Sequence, residues 1–172
     1  PYGLPGSATL PRFGPSSNPL PASLRIMDWR NFSLPCRHRV DPSGKASHNV
    51  RLWTAEIGGR LVGFALAGVV GGNAHLEEID VLPEFGRRGI GRALIETVFA
   101  WARGEGFSAI TLTTMRNVPW NAPFYERMGF RVLRPEELTE PLRELLCAEI
   151  GRGIPAENRV AMMKRFGSTV GT

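Results

Sequence analysis

The fold is decided by one stretch of the sequence, residues 75–114, which is HLEEIDVLPEFGRRGIGRALIETVFAWARGEGFSAITLTT. It begins with a β-strand that Pro83 ends, because proline cannot donate to a strand ladder. Apolar residues then recur every three or four positions over 90–101, which predicts a helix that ends near Gly104. Residues 109–114 are rich in β-branched side chains and predict a second strand. The stretch is therefore a βαβ unit, whose crossover we expect to be right-handed.

Antiparallel strands precede this unit. Residues 52–57 and 61–70 predict two strands joined by a glycine pair at 58–59, and a second turn at 71–73 leads into the strand of the unit. The chain after the unit predicts four more elements: a short helix at 124–128, a strand at 130–133, a helix at 142–150 and a strand at 159–164. We therefore predict an α/β fold with a mixed (α+β) sheet, in which antiparallel strands are followed by a parallel βαβ pair.

The composition indicates one globular domain with a basic extension. The chain has 172 residues, 42% of them hydrophobic and 22% charged, which excludes collagen-like, coiled-coil and wholly disordered classes. Residues 1–50 carry six basic and two acidic residues, a net charge of +4, out of a total of +5. They also hold eight of the fourteen prolines. We predict an irregular, basic, Pro/Ser-rich arm over 1–50 and a catalytic domain over 51–172.

Several classes of protein are disfavoured by what the sequence contains. Cys36 and Cys147 show no metal-ligand spacing, so we expect no metal site, no disulfide framework and a cytoplasmic location. The longest apolar stretch, 61–70, is far shorter than the ~20 residues that cross a bilayer, so we expect no membrane association. We expect no signal peptide, and because the chain begins with Pro1 we expect a processed or truncated product.

The glycine-rich loop at 86–92, Gly-Arg-Arg-Gly-Ile-Gly-Arg, predicts a phosphate site. The first N–H groups of a helix have no intrahelical partner, and glycines allow a ligand to approach them. Arg87, Arg88 and Arg92 add positive charge. A dinucleotide fingerprint would need glycine at Leu94, and no Gly-Lys-Ser/Thr of a P-loop is present. We expect a pyrophosphate-bearing ligand, with a glycine-bent turn carrying solvated arginines as the alternative.

The strand before the loop carries three carboxylates. Strand alternation places these side chains on one face: His75, Glu77, Ile79 and Val81. It places these on the other: Leu76, Glu78 and Asp80. A carboxylate partly withdrawn from water is a usable general base, whereas an exposed acidic stripe would merely pair with nearby arginines. Tyr125, on a short helix, is by itself most often a core aromatic.

Taken together, these segments resemble the GNAT superfamily of acyl-CoA N-acyltransferases. The matching residues are the strand end 79–83, the loop Gly86-Arg-Arg-Gly-Ile-Gly, and Tyr125-Glu-Arg-Met-Gly-Phe130. The resemblance covers roughly 51–134. The sequence around Tyr125, together with residues 159–162, is similar to that of one bacterial branch of the superfamily. It implies an acetyl-CoA-dependent N-acetyltransferase that acts by direct attack of a primary amine, from a small molecule or a peptide.

The resemblance also implies roles for individual residues. The backbone of Ile79, Val81 and Leu82 would pair with the pantetheine arm of acetyl-CoA. The pyrophosphate would be held by the amides of the loop and the helix start: Arg87, Arg88, Gly89, Ile90, Gly91 and Arg92. Tyr125 matches the residue that protonates the departing thiolate, and Glu77 matches the base of diamine acetyltransferases.

The chemistry of the residues agrees with these roles. A phenol with a pKa near ~10 is a suitable proton donor to a thiolate whose thiol has a pKa near ~8.5. Glu77 could receive the amine proton through water, with His75 as a substitute or relay and Glu78 as a further alternative. Asn121, one turn before Tyr125, could hydrogen-bond the pantetheine amides.

Two departures from the family pattern bear on these expectations. Where the family motif usually has Arg or Gln, this sequence has Gly86. One side-chain contact to the cofactor is therefore missing, and Arg87 or Arg88 would replace it. The first strand and the helices that normally follow it have no recognisable counterpart in 1–50, so we expect atypical N-terminal elements.

Two other functions remain open from the sequence. An atypical acceptor wall would suit a CoA-binding module with little or no catalysis. The basic arm would suit a nucleic-acid-binding protein, although no known motif supports it and we expect no nucleic-acid partner. A homodimer formed through the C-terminal helix and strand is compatible with the sequence.

Overall fold

The structure, a computed structural model, describes residues 6–7, 20–29, 50–118, 120–151, 153 and 155–167. The strands in this part of the chain are β1 (Gly6–Ser7), β2 (Leu24–Trp29), β3 (Arg51–Ile57), β4 (Arg60–Val70), β5 (Asn73–Val81), β6 (Ala109–Met115), β7 (Arg131–Val132) and β8 (Arg159–Arg165). The α-helices are α1 (Ile90–Gly104), α2 (Ala122–Arg127) and α3 (Glu140–Ile150).

The strands form a single mixed sheet with the order β1-β2-β3-β4-β5-β6-β8-β7. Neighbouring strands are antiparallel except β5 and β6, which run parallel because α1 carries the chain from one to the other. The predicted fold class is therefore confirmed: antiparallel strands lead into a parallel βαβ pair. The glycine pair at 58–59 forms the β3–β4 turn, and both residues have positive φ, as a tight hairpin requires.

The N-terminal part of the sheet corrects one prediction. Residues 24–29, expected to be part of an irregular arm, form β2, which pairs with β3 over its whole length. Leu24 and Ile26 are buried in the core, Ile26 with only 2% of its surface exposed. The predicted boundary between residues 50 and 51 is therefore wrong, and the folded unit includes β2. Most of the remaining arm lies outside the described residues.

Each face of the sheet is covered by a helix. On one face α1 packs its apolar side, including Leu94 and Phe99, against Trp53, Ile110 and Met162. On the other face Leu142 of α3 packs against residues that alternate with these along β6 and β8: Ala109, Ala161 and Met163. We call these the α1 face and the α3 face. The alternation of β-strand side chains thus divides the core into two layers.

The two parallel strands separate soon after they meet. β5 pairs with β6 only from Ala74 to Leu76, opposite Ile110 to Leu112, although both strands continue beyond these pairs. Residues 77–81 of β5 consequently have β4 on one side and an open gap on the other. This gap, between 77–81 and the end of β6, lies directly before the glycine-rich loop.

A β-bulge accompanies the separation. In the β4–β5 register Leu66 lies opposite Glu78 and Ala67 lies opposite Leu76, so Glu77 is the one extra residue on the β5 side of the bulge. A bulge of this kind shifts the side-chain alternation by one position. Ala74 and Leu76 before it, and Ile79 and Val81 after it, therefore all pack into the α1-face core.

None of the helices in the described ranges is both long and apolar enough to cross a membrane.

Candidate functional site

The open edge of β5 presents backbone groups to the gap. The amide of Leu82 donates to the carbonyl of Val62 on β4, at 2.9 Å. Because backbone groups alternate in direction along a strand, those of Asp80 also point toward β4. The N–H and C=O groups of Ile79 and Val81 consequently point into the gap. Two of the three residues that the resemblance assigns to the pantetheine arm, Ile79 and Val81, thus lie where an extended chain could pair with them.

The glycine-rich loop opens directly onto the N-terminus of α1. Gly89 is the residue before the helix and has a φ of 79°, and Arg87 has a φ of 58°, which is uncommon for a residue with a side chain. The amides of Ile90, Gly91 and Arg92 belong to the first turn, so they have no acceptor within the helix. The first turn carries no acidic residue. This end of α1 is therefore suited to an anion.

Arginine side chains surround this helix end. Arg87, Arg88 and Arg92 are all exposed at the surface of the loop and first turn. The guanidinium of Arg88 lies 5.1 Å from the ring centroid of Phe85, within the range of a cation–π interaction. Phe85, which the sequence analysis did not single out, therefore holds one of the predicted arginines beside the loop.

Gly91 indicates that space is left beside the helix end. A Cβ at this position would lie 3.8 Å from both Phe124 Cζ and Val81 Cγ2, which is ordinary van der Waals contact. Packing within the chain therefore does not require glycine here. The free amides, the surrounding arginines and this space together fit the pyrophosphate of a CoA molecule, and the open edge of β5 fits its amide-containing arm.

Tyr125 lies on α2, directly after Phe124, whose ring borders the same space. Its ring contacts Phe124 at 5.3 Å and Phe130 at 5.8 Å between centroids, and the side chain is half-buried. Burial raises the pKa of Tyr125 to about 12, and the positive charge of Arg159 acts in the opposite direction. The phenol therefore keeps its proton throughout the neutral range, as a proton donor must.

Arg159 belongs to an ion-pair network that the sequence analysis missed. Its Nε and Nη2 atoms each donate to Glu149 of α3 at 2.9 Å, and Nη2 also donates to Thr113 of β6 at 3.0 Å. The side chains of Arg159 and Glu149 are only 17% and 15% exposed. Arg159 pairs with Met115 at the end of β6, so the network fixes the β6 side of the gap to α3.

The four titratable residues of β5 are not arranged as strand alternation predicted. His75 is 1% exposed, and its Nδ1 lies 2.8 Å from the Thr111 hydroxyl on β6. Glu77 is the bulged residue and is half-buried, whereas Glu78 and Asp80 are exposed on the α3 face. The prediction that His75, Ile79 and Val81 share a face is wrong, because the bulge reverses the alternation between them.

Of two further predicted cofactor contacts, that of Leu82 differs from the expectation, and that of Asn121 stays a prediction. The amide of Leu82 is bonded to Val62, and its carbonyl accepts the amide of Phe85 at 2.8 Å, so neither backbone group faces the gap. Asn121 precedes α2 as its N-cap residue, but its side chain makes no capping hydrogen bond. Its carbonyl instead accepts the amide of Phe124 at 2.9 Å.

Within the described ranges, no three His, Cys, Asp or Glu side chains lie close enough together to hold a metal ion. Cys147 is exposed on α3, and Cys36 lies outside the described residues.

Comparison with known proteins gives relatives in both sequence and structure. The chain is 33% identical over 107 residues to a probable N-acetyltransferase camello of Xenopus tropicalis, over 58% of this chain and 47% of that protein. The fold is similar to that of a putative streptothricin acetyltransferase from Bacillus anthracis, solved with acetyl coenzyme A. That similarity has a TM-score of 0.56, 20% identity, and coverage of 69% of this chain and 63% of the other.

A second solved structure is the PaiA N-acetyltransferase of Thermoplasma acidophilum in complex with coenzyme A. Its TM-score is 0.52 at 18% identity, over 68% of this chain and 61% of that one. The chain spans about half the length of the curated relatives it matches. Residues 22–130, which include β2 and extend to the end of the Tyr125 segment, match the model of the Acetyltransferase (GNAT) family. With more than half of its length matched in this way, the chain belongs to that family.

Proposed function

We propose that this chain is an acetyl-CoA-dependent N-acetyltransferase that transfers the acetyl group directly to a primary amine. The observation that carries the proposal is the gap between β5 and β6, which opens beside the unpaired amides at the start of α1. Acetyl-CoA is the cosubstrate of the family. It would supply an activated acyl group and a thiolate leaving group.

Binding would use the backbone more than side chains. The amides of Gly89, Ile90, Gly91 and Arg92 would hold the pyrophosphate, and the arginines beside them would add charge. The gap-facing groups of Ile79 and Val81 would pair with the pantetheine amides, as one strand pairs with another. Leu82 would contribute only its exposed side chain, and Asn121 would offer its side-chain amide from the opposite side.

Glu77 is our proposed base. It is half-buried at the point where β5 and β6 part, whereas Glu78 is exposed and His75 is buried against Thr111. Glu77 would take a proton from the amine, directly or through water, as the nitrogen lone pair forms a bond to the thioester carbon. We therefore leave His75 out of the proton transfer and assign it to the contact between β5 and β6.

Tyr125 is our proposed acid. The C–S bond breaks as the C–N bond forms, and the sulfur leaves with the electron pair. Tyr125 would donate its proton to that sulfur, and the proton held by Glu77 restores the balance through solvent. Arg159, whose charge opposes the burial effect on the phenol, would favour this transfer.

The test is a pair of measurements on the same protein. Isothermal titration with acetyl-CoA should show binding in the micromolar range, and a thiol-release assay with a panel of primary amines should show turnover. Binding without turnover on a broad panel would favour a CoA-binding module instead. The absence of binding would contradict the proposal.

The predicted branch of the family, the cellular location, the oligomeric state and the partners of the protein stay proposals. The relatives named above come from a vertebrate, a bacterium and an archaeon, and we retain the bacterial branch only as a prediction. A cytoplasmic location, a homodimer, and the absence of nucleic-acid and membrane partners are likewise predictions. The acceptor amine, small or peptidic, would approach the gap from the α3 face, where Glu78 and Asp80 are exposed.

A further inference from the structure

The amide of Val81, which faces the gap, is already bonded within the chain. It donates to Oδ1 of Asp80, the residue immediately before it, at 2.8 Å. Asp80 lies on the α3 face, opposite Phe64 of β4, while the Val81 side chain packs into the α1-face core. The Asp80 carboxylate therefore reaches forward along the open edge of β5 to the gap-facing amide of the next residue.

This contact occupies a position where strand-like pairing would otherwise occur. Beyond Leu76 the strand β6 no longer pairs with β5, so a ligand arm in the gap has the backbone groups of Ile79 and Val81 to bond. An N–H group has one hydrogen and makes one good hydrogen bond at a time. A ligand carbonyl and the Asp80 carboxylate would consequently compete for the Val81 amide.

We propose that Asp80 competes with the pantetheine arm of acetyl-CoA for the amide of Val81 and is displaced when the cosubstrate binds. This inference rests on the proposed function, because it takes acetyl-CoA as the occupant of the gap. The bond from Val81 to the cosubstrate replaces the bond to Asp80. The released carboxylate remains on the exposed α3 face, where water can solvate it.

The expected effect is a change in affinity with an unusual sign. Most substitutions in a binding site weaken binding, whereas removal of a competing acceptor strengthens it. A net hydrogen bond of this kind corresponds to a factor of about two to ten in a binding constant. We therefore expect Asp80→Ala to bind acetyl-CoA about two- to tenfold more tightly than the unaltered chain.

Charge is the effect that must be separated from competition, because CoA is anionic and Asp80 is too. Asp80→Asn removes the charge but keeps an oxygen that can accept from the Val81 amide. Its affinity should lie between those of the unaltered chain and Asp80→Ala. Glu78→Ala removes a carboxylate from the same face of β5, two residues away. It should leave the affinity close to that of the unaltered chain.

The experiment is isothermal titration of acetyl-CoA into the four proteins, with thermal unfolding to establish that each is folded. Tighter binding by Asp80→Ala, with Glu78→Ala unchanged, supports the proposal. Equal or weaker binding by Asp80→Ala overturns it while leaving the proposed function in place. Equal tightening in all three variants assigns the effect to charge and also overturns it. No binding by any protein, the unaltered chain included, would overturn the proposed function and this inference together.

Discussion

The acid role of Tyr125 gives the most informative substitution, Tyr125→Phe. The phenyl ring keeps the contacts with Phe124 and Phe130, so the α2 region should stay folded and acetyl-CoA affinity should change little. What is lost is the proton that the sulfur receives as it leaves. General acid catalysis of this type contributes roughly 10²–10⁴-fold to a rate.

The pKa of the phenol places the expected effect at the lower end of that range. Burial raises the pKa of Tyr125 to about 12, whereas a free thiol has a pKa near ~8.5. Complete proton transfer to a free thiolate is then uphill by about 3.5 pKa units, or about 5 kcal/mol. Such a donor assists the leaving group only partly, so we expect kcat to fall about 100-fold.

The same pKa predicts the shape of the pH profile. Because the pKa is raised, the phenol stays protonated from pH 6 to above pH 10, and kcat should show no alkaline decline due to Tyr125 in that range. A steady-state thiol-release assay of both proteins from pH 6 to 10 measures this. The reasoning would be refuted by an unchanged kcat in Tyr125→Phe, or by an alkaline limb near pH 10 that the substitution removes.

Three further substitutions test other parts of the structure. Ile26→Ala should destabilise the fold by about 2–5 kcal/mol, measured by denaturant unfolding, because β2 is part of the core; a loss below 0.5 kcal/mol would show that it is not. Gly89→Ala should lower the free energy of unfolding by about 1–2 kcal/mol and weaken acetyl-CoA binding, because φ is 79° at this position. Gly91→Ala is the control, in which both effects should be smaller. Glu149→Gln should lower both kcat and the unfolding midpoint, because it leaves the Arg159 charge without its carboxylate. An unchanged kcat would show that this ion-pair network does not contribute to the reaction.

The elements that the sequence predicted well are those with local signals. The βαβ unit has a proline, a glycine loop and an apolar helical repeat within forty residues, and the structure contains each part. The loop before α1 likewise follows from glycines adjacent in sequence. By contrast, β2 is flanked by prolines and serines, and it pairs with a strand more than twenty residues away. Its burial is a tertiary effect that composition does not reveal.

In the candidate site, too, features with a local sequence signal were predictable and features set by tertiary contacts were not. The backbone path of Ile79, Val81 and the first turn of α1 follows from the motif, because the motif describes a local backbone path, whereas their roles toward a cofactor stay predictions. The positions of His75 and Leu82 were not predictable in this way. A single extra residue at Glu77 shifts the alternation without any sequence signal, and the Leu82 amide is committed to β4 by the strand register. The Glu149–Arg159 pair forms between α3 and β8, which no motif connects.

The central claim is that acetyl-CoA occupies the gap between β5 and β6, with its pyrophosphate at the start of α1. Amide chemical shifts of the ¹⁵N-labelled chain, followed during titration with acetyl-CoA, test this residue by residue. The account predicts that the largest changes fall on Val81, Ile90, Gly91 and their neighbours, with little change along β3. Changes concentrated elsewhere in the chain, or none at saturating acetyl-CoA, would contradict it.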